Sequence, residues 1–350
     1  MKQKTDLLNK FWLKGKEFLG CDYPIIGGAM SWICEKNLVS AVRKAGGFGV
    51  LASACLSLDE LREQIRFLKK ESDAPFGVNV VLRHALMEEQ IQICLQEKVT
   101  HIVLAAGVAS SDLIGRLKEN GVKTMAIVSN LILAQKLIRS GIDALVVEGC
   151  ESGGHLGALT STVLAQEVLS AVKDKVPVFM AGGIGTGQML ASFLMLGAVG
   201  GQIGTCLLAA KECRIHENFK KAVLKASSRQ AIATVQLDER FPVIPVRSLD
   251  NHAHAEFKQF QYQVIEDFKN GKITLAEGQA KIENFWAGSL RKAVLDGDTQ
   301  EGSLMSGQIV GLVNEERSTE EIISSLVEQA EDFLQKTLTT LSGKTEKTEA

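Results

Sequence analysis

The chain has 350 residues, is 45% hydrophobic and 23% charged, and carries a formal net charge of -2. That length suits one large α/β barrel or two domains with an ample core. Near-neutral charge leaves no electrostatic case for nucleic acid or an anionic membrane surface, and no uninterrupted apolar run approaches the ~20 residues a spanning helix needs.

Residues 1–20 read as an amphipathic lead-in helix, and their polar, Lys-rich start lacks the apolar centre of a signal peptide. Pro24-Ile25-Ile26 opens a short strand that runs into Gly27-Gly28-Ala29-Met30. Asn37 to Lys44 has helical spacing, and Gly46 to Leu51 is a second strand ending in Ala52, Ser53 and Ala54. Leu58 to Lys70 is an amphipathic helix with Leu58, Leu61, Ile65 and Leu68 on one face. The alternation continues with a strand at Phe76–Val80, a helix at Ala85–Glu97, a strand at His101–Leu104 and a helix at Ser110–Asn120 that Gly121 closes. Thr124–Val128 is the fifth strand, and Asn130 caps a helix reaching Ser140 and ended by Gly141. Ala144–Val147 is the sixth strand, Thr162–Val172 a helix and Val178–Met180 the seventh strand. A helix at Gln188–Leu196 then leads to the eighth strand, Gly201–Gly204.

Eight strand–helix units at intervals of roughly 20–30 residues predict parallel strands joined by crossover helices, which close naturally into a (β/α)8 TIM barrel. A doubly wound open sheet is the alternative, but its phosphate loop follows the first strand. Here the glycine-rich strand ends come late, after strands six, seven and eight, which favours the barrel.

Beyond Ala209 the rhythm changes. Cys213 to Ser227 reads as a helix with a basic face of Arg214, Lys220, Lys221, Lys225 and Arg229, ordinarily a solvated surface. Phe241-Pro242-Val243-Ile244-Pro245 reads as a turn or edge segment, and His254–Asn270 and Thr274–Asn284 as helices. Gly302–Val313 carries small and apolar residues, and Thr319–Leu341 is a closing amphipathic helix. The expected organisation is a barrel at 1–209, a smaller mostly helical cap domain at 210–301, a segment at 302–341 packing back on the barrel, and a disordered tail at 342–350.

Function in a parallel barrel sits at the C-terminal ends of the strands. The stretch Glu148-Gly149-Cys150-Glu151-Ser152-Gly153-Gly154-His155-Leu156-Gly157 places a histidine among glycines just past a strand end. A tight turn carrying a surface histidine is the plainer reading. The next strand tips the balance, because Ala181-Gly182-Gly183-Ile184 runs toward a helix start, where backbone N–H groups and the dipole attract an anion. Gly204-Thr205 adds an N–H and a hydroxyl, and barrels often bind phosphate after strands seven and eight.

No metal-ligand set stands out among the six histidines; His252-Ala253-His254 reads as an exposed accident in a polar loop, and His101 as structural. No Gly-x-Ser-x-Gly elbow occurs, and Cys150 reads as packing. The seven cysteines form no CxxC pair and read as reduced thiols of a cytoplasmic protein. A phosphate site without metal or nucleophile points to a cofactor that carries the chemistry.

The Glu148–Gly157 loop resembles the signature of the nitronate monooxygenase/2-nitropropane dioxygenase family, which includes the FMN-dependent enoyl-acyl-carrier-protein reductase of type II. Further matches are Lys44-Ala45-Gly46-Gly47-Phe48-Gly49, Pro75-Phe76-Gly77-Val78-Asn79, Ala181-Gly182-Gly183-Ile184 and Gln202-Ile203-Gly204-Thr205. The resemblance implies FMN in the barrel mouth. Its phosphate would rest on Gly182, Gly183, Gly204 and Thr205 beside Gln202, with Asn79 and Gly28, Ala29 and Met30 at the ring end. Glu148, Gly153, Gly154 and Ala181 complete the expected cofactor site, and His155 would face the substrate as the catalytic residue.

Gly288 to Val294 and Gly302 to Val313 look closest to the enoyl reductase. Nitronate oxidisers tend to carry Trp-Ala-Gly-Gln where this chain has Met305-Ser306-Gly307-Gln308, and Arg247 and Asn251 match the reductases' Arg-x-x-x-Asn pattern. Gly27, Ala29, Ala52–Ala54 and Ser152 depart from the reductase pattern. The expected activity is NADPH- or NADH-dependent reduction of a trans-2-enoyl thioester, small or bound to acyl carrier protein, in fatty acid biosynthesis. The alternative is oxidation of alkyl nitronates with O2, with His155 as base. Neither nucleic acid nor membrane is an expected partner, and a homodimer is the assembly to test.

Overall fold

The computed structural model describes residues 7–243, 245–286 and 288–342. Its first strands are β1 (Ile25–Gly27), β2 (Phe48–Ala52), β3 (Gly77–Val81), β4 (His101–Ala105), β5 (Lys123–Val128), β6 (Ala144–Glu148), β7 (Gly154–His155), β8 (Val178–Ala181) and β9 (Gly200–Ile203). All but β7 close into an eight-stranded parallel barrel, with β9 returning to β1 through Ile26 opposite Gln202. The fold is the (β/α)8 barrel that the strand–helix rhythm predicts.

Side chains alternate along each strand, so one set fills the barrel and the other meets the helices. Ile26, Phe48, Val50, Val103, Met125, Ala144, Val146, Phe179 and Ala181 pack together as the interior, while Val78, Ile102, Leu145, Val147 and Met180 join the outer core. This period puts Glu148, two residues after Val146, at the top of the interior on β6. Asn79 and Gln202 share that inward phase, being paired with Ala52 and Ile26 in register.

The helix Leu8–Leu19 plugs the opposite end. His101, at the head of β4, is 2% exposed there, and its Nε2 lies 3.0 Å from the Phe18 carbonyl oxygen. The rings of Phe18 and Phe48 stand edge-on to the imidazole at 5.6 and 4.9 Å, so this histidine is structural. Helix ends follow local chemistry. Asn130 Oδ1 accepts the Leu133 N–H at 2.8 Å, and Ser57, Thr274 and Ser318 form capping boxes with Glu60, Glu277 and Glu321. The closing helix Thr319–Leu341 reaches back across the chain: buried Glu331 accepts the Leu7 and Leu8 N–H groups at 3.1 and 3.0 Å, satisfying the start of the lead-in helix.

Several expectations are corrected beyond the barrel. The helix expected from Cys213 starts at Glu217, because the His216 side chain caps it by accepting the Asn218 N–H at 3.1 Å. Its basic face is broken: Lys220 is 4% exposed and donates to Glu316 at 2.7 Å and to the Ala210 carbonyl at 3.1 Å. His252 and His254 lie in the first turn of the helix His252–Lys269, not in a loop. His254 is buried, with Nε2 2.7 Å from Ser248 Oγ. The expected turn at Phe241–Pro245 is followed by a strand the sequence did not suggest. That strand, β11 (Val246–Leu249), lies between β10 (Ala231–Ala233) and β7 in a small antiparallel sheet. Ile244 within the expected turn, the first six residues of the lead-in and all but the first residue of the expected tail lie outside the described residues.

Residues 210–301 divide between two cores. Ile215, Phe219, Val223, Ala231 and Leu249 join the barrel's outer core, whereas Phe241, Phe257, Val264 and Ile282 form a separate cluster. Among the described residues, no helix is long and apolar enough to cross a membrane.

Candidate active site

One cavity opens at the C-terminal ends of the barrel strands. It is lined by Gly28, Ala29 and Met30 after β1, by Glu148, by Gly153, Gly154 and His155, by Ala181, Gly182 and Gly183, and by Gln202, Gly204 and Thr205. The fold thus gathers every residue singled out for cofactor or catalysis except Asn79. Asn79 sits on β3 at 7% exposure, donating through Nδ2 to the Val103 carbonyl at 3.1 Å, outside the lining.

The cavity exists because side chains are missing where backbones converge. A Cβ on Gly28 would meet the Gln202 side chain at 2.9 Å, and one on Gly153 the Ser306 carbonyl carbon at 2.7 Å. Gly182 and Gly183 take φ of +83° and +74°, and a Cβ on Gly182 would lie 2.8 Å from the Gly149 carbonyl oxygen. Only glycine adopts that turn without strain. The helix beyond, Gly187–Leu196, is already capped: Thr186 Oγ1 accepts the Met189 N–H at 3.3 Å and Gln329 accepts the Gly187 N–H at 2.9 Å. The anion-binding groups on this side are therefore those of the turn Gly182–Ile184 itself. Opposite, Thr205 Oγ1 accepts the Gly307 N–H at 2.8 Å, which leaves its own O–H to donate into the cavity.

The His155 loop is braced on three sides. The Glu151 carboxylate accepts from the Ser161 N–H and hydroxyl at 2.9 and 2.8 Å, and the Gln308 N–H donates to the Glu151 carbonyl at 2.9 Å. β7 pairs His155 with Val246 and Gly154 with Arg247. Arg247, 8% exposed, donates to the Cys150 and Ala231 carbonyls. His155 itself lies at the cavity, an exposed residue whose ring is partly desolvated.

Desolvation sets the charges here. It lowers the His155 pKa below its usual 6.5, so the imidazole is neutral at pH 7. It raises the Glu148 carboxyl to about 7, a rise the nearby Ser152 hydroxyl only partly offsets. That hydroxyl oxygen is buried beside the Glu148 carboxyl. The Cys150 thiol is pushed up by burial and by Glu151, which keeps it protonated and agrees with a packing role. All seven cysteines are unpaired. Among the described residues, His252, Glu256 and Glu301 bring donor atoms within 4.8 Å of one another, but outside this cavity.

The sequence reading did not place Leu290, Met305, Gly307 and Ile309 in the site, yet all line it. For the last three the signal was the run of small and apolar residues at 302–311 in an otherwise helical region.

A family model described as nitronate monooxygenase matches residues 14–92 and 84–329. A Mycobacterium tuberculosis protein named (3aS,4S,5R,7aS)-5-hydroxy-7a-methyl-1-oxo-octahydro-1H-indene-4-carboxyl-CoA dehydrogenase is 30% identical over 344 residues, spanning 91% of this chain and 96% of its own. A nitronate monooxygenase of Paraburkholderia phytofirmans is 29% identical over 267 residues, spanning 63% of this chain and 73% of its own. The solved structure of FabK from Thermotoga maritima superposes with a TM-score of 0.81 at 33% identity, covering 94% of this chain and 98% of that one.

Proposed function

We propose that this chain, which belongs to the nitronate monooxygenase family of oxidoreductases, uses FMN and NADPH or NADH to reduce trans-2-enoyl thioesters, acyl carrier protein being the carrier. The cavity fits FMN: the backbone N–H groups of a turn held open by glycines of positive φ at Gly182 and Gly183, and a threonine O–H free to donate, are donors of the kind a phosphorylated ring system requires. Gly182, Gly183, Gly204 and Thr205 would hold the phosphate, with Gln202 beside it and Gly28 to Met30 toward the ring. When bound, FMN supplies two-electron transfer between a nicotinamide and the substrate.

The chain's own groups then orient the thioester and manage its proton. Neutral His155 donates one ring N–H to the thioester carbonyl oxygen, where charge builds as the α,β bond is reduced. Glu148, whose carboxyl burial raises to about 7, is a second group that can hold a proton inside the cavity. Residues 210–301 serve as the cap and 302–341 as the segment that completes the wall. The unpaired cysteines suit a reducing, cytoplasmic setting.

The observation that carries the reading is Met305. It lines the cavity, its sulfur 3.6 Å from where a side chain on Gly154 would begin. The nitronate oxidisers that the sequence resembles tend to carry tryptophan there. An unbranched thioether leaves space for an acyl arm that an indole would fill. The likeness to FabK at 33% identity and to a relative named for a CoA thioester supports the same substrate class. Nitronate oxidation is the second reading, favoured by the description of the family model itself; with the neutral nitroalkane as substrate, His155 would accept the α-carbon proton whose loss gives the nitronate.

Anaerobic mixing of the yellow protein with NADPH, NADH or an alkyl nitronate tests the choice. Bleaching by a nicotinamide and recolouring by a trans-2-enoyl thioester is expected. Bleaching by the nitronate alone replaces this reading with the second.

A further inference from the structure

We propose that Trp32 and Arg291 form a rim subsite that holds the phosphate-terminated pantetheine arm of a thioester substrate. The inference rests on the thioester reading above and extends it to residues outside the cavity lining. The two residues belong to different walls: Ser31 and Ile33 line the cavity on either side of Trp32, and Leu290 lines it next to Arg291. The Arg291 guanidinium lies 5.9 Å from the centroid of the Trp32 ring, so the pair bridges the β1 loop and the 289–296 helix at the opening.

The backbone at Trp32 is unusual. Its φ is +66°, a left-handed conformation that a bulky aromatic residue adopts only under strain. The surroundings enforce it. The Trp32 N–H donates to Cys55 Sγ at 3.1 Å, and the Ile33 and Cys34 N–H groups both donate to the Met30 carbonyl at 3.0 and 2.8 Å. A turn needing only this shape would carry glycine or asparagine. Instead it presents an indole that is 37% exposed. Arg291 is equally available: its carboxylate neighbour, Asp296, is 3.4 Å away and both side chains are about half exposed.

These groups suit one kind of ligand. The indole offers a flat apolar face to an extended amide-containing arm. A guanidinium steadied by an aromatic ring presents its N–H edge for forked recognition of phosphate. A thioester held beneath His155 must leave through this opening, and the arm of both biological carriers, coenzyme A and acyl carrier protein, ends in a phosphate ester. A nitroalkane would use neither group.

The test is calorimetric titration of the FMN-loaded protein with pantetheine, 4′-phosphopantetheine and coenzyme A. Phosphopantetheine and coenzyme A should bind about tenfold or more tightly than pantetheine, and the contrast should vanish in Arg291→Ala. Trp32→Gly suits the positive φ, so its fold is kept and its Tm should equal or exceed wild type, yet it should weaken all three ligands. Equal binding of pantetheine and phosphopantetheine to wild type, or an undiminished contrast in Arg291→Ala, overturns the subsite. A full contrast without any turnover of enoyl thioester overturns the reductase reading and leaves the subsite in place. Holo- and apo-acyl carrier protein then separate the sources: Arg291-dependent preference for the holo form assigns the carrier protein's arm, and binding of coenzyme A alone assigns the free cofactor.

Discussion

Arg247 holds the carbonyl oxygen of Cys150 in a fork, with Nε donating at 3.2 Å and Nη2 at 2.9 Å, while Nη1 reaches the Ala231 carbonyl at 2.6 Å. One buried guanidinium thereby ties the loop after β6 to two strands of the small sheet. Replacing it by methionine strands two carbonyls, each hydrogen bond to a charged group being worth roughly 1.5–3 kcal/mol. We expect Arg247→Met to keep FMN, since the turns proposed for its phosphate lie elsewhere, but to lower kcat about 10–100-fold as the His155 loop loosens. Arg247→Lys should recover little, since an ammonium cannot reproduce the fork. Flavin content and kcat measured side by side decide this; loss of both together would show that Arg247 supports the fold and not the loop alone.

His155→Ala should stay yellow. If the ring meets the substrate, turnover should fall roughly 10²–10⁴-fold, while flavin reduction by the nicotinamide proceeds near the wild-type rate. Stopped-flow comparison of the two half-reactions is the measurement, and an oxidative half-reaction at wild-type speed would end the catalytic assignment.

Gly182 and Gly183 should fail differently. A Cβ at Gly182 would run into the Gly149 carbonyl at 2.8 Å, so Gly182→Ala should lower Tm. At Gly183 the nearest heavy atom is Ser161 Oγ at 3.4 Å, so space allows a Cβ and the cost is the positive φ, about 1–2 kcal/mol. Gly183→Val should therefore fold but emerge colourless, its side chain crowding the phosphate position. Stoichiometric FMN in that variant would refute the phosphate assignment.

His101 predicts a pH dependence of stability. Burial lowers its pKa from 6.5 to about 4. The unfolded chain therefore takes up a proton at higher pH than the folded one, and the contribution is complete above pH 6.5. It is lost as pH falls from 6.5 toward 4, to a total of about 3 kcal/mol. Urea midpoints between pH 7 and 4.5 should fall less steeply in His101→Gln than in wild type. Parallel slopes would remove His101 as the cause.

The barrel was legible in the sequence because each of its strands and helices carries its own signal. Strand Ala144–Glu148 is a short apolar run, Asn130 and Ser57 cap through atoms in their own turns, and Gly121 and Gly141 end helices at positive φ. Glycines crowded at strand ends pointed to the cavity for the same reason, since backbone that must approach backbone requires them. The small sheet was not legible. β7 has two residues and β10 three, too few for any periodicity, and Val246 meets His155 only because the folded barrel brings distant chain together. Lys220 looked like surface because charge alone cannot reveal that Glu316 lies across from it. The contribution of Met305 and Gly307 to the wall, and the meeting of Trp32 with Arg291, are likewise properties of chain return. Local sequence determined which elements form and where glycine is required. Tertiary packing decided which distant residues close the cavity, because that choice is made by long-range contacts that leave no periodic trace.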